Sequence, residues 1–142
     1  MQIQYAVSGA TVPQARDLRR WAKAALLDDA EVALRVVGRR EGRVLNREFR
    51  GRDYATNVLT FVYDEGRPQQ GDIVLCAPVV QAEAGRERRD LESHYAHLVV
   101  HGMLHLQGFD HLRAREAELM ESLETEIVTR LGYADPYARS AL

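Results

Sequence analysis

The chain has 142 residues, of which 46% are hydrophobic and 28% charged, a balance that excludes wholesale disorder and fits one domain with a buried core. Its net charge of −2 does not advertise a nucleic-acid binder through the whole-molecule field, and no apolar run approaches the ~20 residues that span a bilayer. The single cysteine, Cys76, cannot form an intrachain disulfide, and the N-terminus lacks a basic-then-apolar leader; the expectation is a cytoplasmic location with no membrane partner.

The opening QIQYAV alternates Ile3, Tyr5 and Val7 and predicts a strand. Thr11-Val12-Pro13 reads as a helix start, followed by Leu18, Trp21, Ala22, Ala25 and Leu26 at helical spacing. Residues 31–38, EVALRVVG, predict a second strand. An arginine-rich helix over 39–49 comes next, with Val44, Leu45 and Phe49 as its apolar side and Gly51 at its end. Its arginines, from Arg39 and Arg40 through Arg43, Arg47, Arg50 and Arg52, suit either a solvated helix face or bidentate phosphate contacts.

Strands are expected at 57–63 and 72–77, joined by the turn-rich DEGRPQQG. A helix over about 78–84, a break at Gly85 and a longer helix over about 89–107 follow, the last stopped by a left-handed Gly108. A closing amphipathic helix over about 112–131 turns Ala117, Met120, Leu123, Ile127 and Leu131 inward and ends at Gly132. The order β-α-β-α-β-β followed by helices predicts a single α+β domain, a mixed four-stranded sheet packed with about five helices.

The chemistry concentrates in residues 101–111, HGMLHLQGFDH. His101 and His105 are four apart and share one face of a helix, where two imidazoles can converge on one metal. His97 and His105 are roughly 12 Å apart along the axis at ~1.5 Å per residue, too far to share an ion. Gly108 lets the chain double back, so that His111 can return as the third ligand. Three neutral nitrogens leave a fourth tetrahedral position for water, a catalytic rather than closed site; one zinc ion is the expected cofactor, on a helix in the C-terminal half. Nickel and iron suit the same donors.

Around this core the assignments are looser. His97 either lines the approach to the metal, contacts a phosphate, or simply hydrogen-bonds a carbonyl. His94 reads as a solvated surface histidine. Asp110 either orients a ligand imidazole or caps the last helix. Cys76 reads as core. Thr56, Asn57 and Thr60 suit a groove wall or a turn-to-strand transition, and Asp72 a strand start.

In H-E-x-x-H proteases a glutamate takes the proton from the metal-bound water, and here Gly102 stands in its place. The metal itself lowers its water's pKa to about 7, so a substrate with a heavily anionic transition state needs a cation more than a carboxylate. Phosphodiester cleavage fits that requirement.

HGMLHLQGFDH closely resembles H-G-x-L-H-L-x-G-[YF]-D-H, the signature of the YbeY family of bacterial endoribonucleases. The blocks Leu45-Asn46, Phe49-Arg50-Gly51, Asp53, Thr56 to Phe61, Gly71-Asp72-Ile73, Leu123 to Ile127 and Leu131-Gly132-Tyr133 resemble that family too, over roughly residues 31–137. The resemblance implies zinc-dependent cleavage of single-stranded RNA. It also implies roles in ribosomal RNA maturation, at the small-subunit 16S rRNA 3′ end, and in ribosome quality control, with ribosome-associated proteins as further partners. It implies His101, His105 and His111 as metal ligands and Arg50 as the functional arginine. Arg50 and His101 are then the expected catalytic residues, and Arg50 and His97 the expected substrate contacts. Water and the ribose 2′-OH both remain as nucleophiles. Two other readings stand beside this one, a metallopeptidase-like hydrolase and a non-catalytic zinc-containing ribosome-assembly factor.

Overall fold

The computed structural model describes residues 1–8, 11–64, 69–109 and 113–138. In chain order the elements are β1 (Gln2–Ala6), α1 (Ala15–Ala24), β2 (Ala30–Val37), α2 (Arg39–Arg50), β3 (Val58–Asp64), β4 (Gln69–Cys76), α3 (Ala77–Arg86), α4 (Leu91–Leu106) and α5 (Ala114–Arg130). The strands lie in the order β1-β2-β4-β3, with β1, β2 and β4 parallel and β3 antiparallel to β4 along one edge. The expected α+β architecture, a mixed four-stranded sheet with five helices, is therefore observed. No helix among the described residues is long and apolar enough to cross a membrane.

Period-two alternation sorts the sheet into two faces. Val32, Leu34 and Val36 of β2 and Ile73 and Leu75 of β4 join Leu18 and Trp21 of α1 and most of α4 in the main core. Val37, Val74, Cys76 and Leu59 face the other way, where Leu45 of α2 packs on them. Cys76 is accordingly core, its thiol pushed up by burial.

The main core is organised by α4, which touches α1, α3, α5, β3 and β4. From residue 94 to residue 106 only His97, His101 and His105 escape full burial. A helix apolar on nearly all sides belongs inside a domain, and two glycines let it come close. A Cβ on Gly102 would sit 3.1 Å from Cγ2 of Ile73. A Cβ on Gly71 would run into the Phe61 carbonyl oxygen and stand 2.6 Å from Cδ1 of Leu106. At the far end of α4, the Gln107 side chain accepts from the Leu27 amide at 2.8 Å and donates to the Ala25 carbonyl at 2.8 Å, tying the α1–β2 connection to the helix terminus.

Three local expectations change. Gly85 does not break a helix: α3 runs through it to Arg86, and Arg88 takes the left-handed conformation instead, with φ 55°. The Arg89 amide bonds the Ala84 carbonyl at 2.8 Å and the Arg88 amide the Gly85 carbonyl at 3.3 Å, a Schellman ending built on a non-glycine residue. Phe49 is not on the inner face of α2; it is 63% exposed and meets Phe61 edge-on at 5.2 Å. The roll of α2 is set by Gly42, where a Cβ would lie 3.0 Å from the Cys76 sulfur, and by the buried Asn46. His94 is not a surface residue; it is 6% exposed and faces Glu83 of α3 at 3.0 Å.

Two substitutions test this packing by chemical denaturation. Gly71→Ala should lower stability by about 1–3 kcal/mol, because the obstacle is backbone as well as a side chain. Arg88→Gly should raise it by up to about 1 kcal/mol by relieving the left-handed penalty.

Candidate active site

His101 and His105 sit one turn apart on the single open line of α4, their rings parallel within 2° and their centroids 6.4 Å apart. The end of the helix orients the second ring. Gly108, at φ 104°, closes a Schellman turn in which the Phe109 amide bonds the Leu104 carbonyl at 3.1 Å. That turn brings the Phe109 carbonyl within 3.1 Å of His105 Nδ1. A carbonyl can only accept, so Nδ1 carries a proton.

A buried carboxylate orients the first ring. Glu124 of α5 is 1% exposed, yet it lies on the inward stripe with Met120, Ile127 and Val128. Its Oε1 accepts from His101 Nδ1 at 2.9 Å and from His97 Nε2 at 3.0 Å, while Oε2 accepts from the Tyr137 hydroxyl at 2.8 Å. Burial by itself would raise this carboxyl, but the hydrogen bonds from His101, His97 and Tyr137 outweigh it and hold the group at about 2. The same burial, together with the carboxylate, pushes the Tyr137 phenol up. His101, like His105, therefore has its proton on Nδ1. A carboxylate or carbonyl behind the imidazole is the arrangement that orients metal-binding histidines and raises their basicity.

The opposite wall comes from α2, the turn after it, and edge strand β3. Gly51 leaves α2 at φ 69°, and the buried Asn46 amide donates to the Tyr54 carbonyl at 2.7 Å, folding the chain back across the helix end. Arg43 grips Asp53 with two hydrogen bonds, 2.8 and 3.0 Å, and holds its carboxyl below the usual range. Arg50, in the last turn of α2, reaches over to the Thr60 carbonyl of β3 at 3.3 Å. Between these walls lies a groove of about 700 Å³ lined by Arg50, Arg52, Tyr54, Thr56, Thr60, His101 and His105.

The fold thus brings Arg50, His101 and His105 to one groove. His97 shares their line on α4, but its Nε2 is engaged by Glu124. His111 and Asp110 lie outside the described residues, and among the described residues no group of three metal-binding side chains assembles. Thr56 and Thr60 line the groove. Asn57 instead turns inward, its amide donating to Glu83 at 3.0 Å, so that Asn57, Glu83 and His94 form a polar link behind the wall. Asp72 lies within β4 and accepts from the Tyr63 hydroxyl at 2.6 Å. Sequence reasoning missed Glu124. The available signal was a carboxylate spaced four after Met120 and three before Ile127, an acid set into an apolar stripe.

Comparison with known proteins adds independent information. Residues 10–132 match the family model described as Endoribonuclease YbeY. A protein of Nitrosomonas europaea named Endoribonuclease YbeY is 58% identical over 96% of this chain and 84% of its own length. One of the same name from Aromatoleum aromaticum is 61% identical over 89% of this chain and 82% of its own length. Among solved structures, the solution structure of TM1509 from Thermotoga maritima is similar with a TM-score of 0.59 and 25% identity, over 97% of this chain and 99% of that one.

The Glu124 cluster has a pH signature. An acid lowered from 4.5 to about 2 contributes stability that is fully present above about pH 4.5 and lost as pH falls toward 2. In chelator-treated protein, Glu124→Gln should be less stable than wild type at pH 7, and the gap should close between pH 4.5 and 2 in denaturant titrations. A gap independent of pH would refute the cluster's ionisation.

Proposed function

The chain belongs to the YbeY family of endoribonucleases, and on that premise we propose that it is a zinc-dependent hydrolase cutting phosphodiester bonds in single-stranded RNA. The observation that carries this reading is the groove in which Arg50, from α2, faces His101 and His105, from α4. Its substrate in this reading is ribosomal RNA, with the 3′ end of the small-subunit 16S rRNA as target. A part in ribosome quality control, ribosome-associated partners and a cytoplasmic location complete the proposal.

The donor set fits zinc. Each of His101 and His105 gives its Nδ1 proton to a fixed acceptor, leaving Nε2 as the nitrogen suited to a metal. With His111 as third ligand, a zinc ion would supply Lewis acidity at neutral pH. Everything else falls to the chain's own groups. Arg50 uses one of its five donors on the Thr60 carbonyl, and the others are available to the non-bridging oxygens of a phosphate in the groove. Its guanidinium would stabilise the additional negative charge that the phosphate gains in the transition state. Glu124 keeps His101 in one tautomer and one orientation through that charge change. His97, expected as a substrate contact, is proposed to contribute through the same carboxylate. The peptidase reading loses support, because residue 102 carries no carboxylate and packs against Ile73.

Arg50→Ala should lower cleavage of an unstructured oligoribonucleotide by roughly 10²–10³-fold while zinc content, read by elemental analysis, stays at the wild-type level. His105→Ala should lose both. Undiminished cleavage by Arg50→Ala would remove the arginine from the mechanism. Metal-loaded wild type that never cuts RNA would favour the assembly-factor reading instead.

A further inference from the structure

Tyr54 stands out on the groove wall. The residue is 51% exposed, although its backbone is anchored. The Tyr54 carbonyl is held by the buried Asn46 at 2.7 Å, and its hydroxyl accepts from Arg52 Nη1 at 3.1 Å. Neighbouring Asp53 is fixed to α2 by the two Arg43 hydrogen bonds. The ring is therefore positioned before any ligand arrives, and ordering it on binding costs little.

The surroundings narrow what such a ring can receive. Tyr54 shares the groove with the guanidinium groups of Arg50 and Arg52, and no carboxylate is among the described residues that line it. An aromatic face beside two guanidinium groups complements a ligand that joins a flat π surface to an anionic group one bond system away. A nucleotide has that constitution: phosphate to the arginines, base to the ring. We propose that Tyr54 is a base-stacking platform, receiving an unpaired nucleobase next to the phosphate held by Arg50. This deepens the endoribonuclease reading and rests on it. It also gives a physical source for single-strand preference, since a base within a duplex has both faces covered by its neighbours and must leave the stack to reach Tyr54.

The test pairs variants with an abasic scan, using zinc-loaded full-length protein and an unstructured oligoribonucleotide. Tyr54→Ala should raise KM about five- to a hundredfold, the range for losing one base–aromatic stack, with kcat nearly unchanged. Tyr54→Phe and Tyr54→Trp keep a π face and should stay near wild type, which also separates stacking from the Arg52 hydrogen bond. An abasic nucleotide at one position should raise KM for wild type but not further for Tyr54→Ala. If wild type and Tyr54→Ala respond alike to the abasic residue at every position, the platform is refuted. If wild type binds RNA without cutting it, the same cycle read as Kd still decides the stack while the nuclease reading fails. Absence of RNA binding by wild type would overturn both.

Discussion

One helix, buried on every side but one, dictates the layout of this molecule. α4 is enclosed by three helices and the sheet, and between residues 94 and 106 only the His97–His101–His105 line is left partly open. Side chains at i and i+4 stack along a helix, so His101 and His105 face the same gap. That gap is the groove. His101 and His105 are thereby presented by a packed helix rather than by a loop. Rigid elements on both walls, α4 on one and the end of α2 on the other, suit a constellation that must hold its geometry.

A partly open line of this kind exposes polar groups at the edge of an apolar core, and Glu124 resolves the resulting electrostatic problem. An ionised carboxylate buried to 1% exposure is tolerable only when its oxygens are saturated by donors. His97, His101 and Tyr137 supply three, from α4 and from the segment after α5. The same arrangement that keeps the carboxylate soluble in the core fixes which nitrogen of His101 is protonated. Folding energetics and site chemistry are satisfied by one group, so α5 is more than a cover for the core.

Much of this was legible in the sequence, and the failures have specific causes. Strand alternation, the His101–His105 spacing and the Gly108 stop are local patterns, and local patterns read well. The left-handed residue at Arg88 was hidden because glycine is the usual signal and Gly85 stood nearby. Phe49 and His94 were misplaced for a tertiary reason: the roll of α2 depends on how closely Gly42 approaches Cys76, and the surroundings of residue 94 depend on α3. Periodicity says which residues share a face, not which neighbour that face meets. Glu124 was missed for the converse reason: its place in an apolar stripe was visible, but its partners lie on another helix and in a following turn. The third expected ligand, His111, is outside the described residues, so this part of the candidate site rests on its spacing and on the family resemblance.

The glycine at position 102 belongs both to the packing of α4 and to the chemistry of the groove. By sequence it stands where a peptidase would place its proton acceptor. In the fold it is the point at which α4 rests on β4, with Ile73 already within 3.1 Å of where a Cβ would be. Position 102 is one residue on from His101, and the β4 side chain of Ile73 lies against it. A side chain at 102 would require the Ile73 side chain to give by a few tenths of an ångström. With glycine at 102, the charged groups that the described residues bring to the groove from its other wall are Arg50 and Arg52, cations rather than a carboxylate. The packing of one glycine thus bears on the sign of charge that the groove can offer, and through it on the kind of substrate the groove suits.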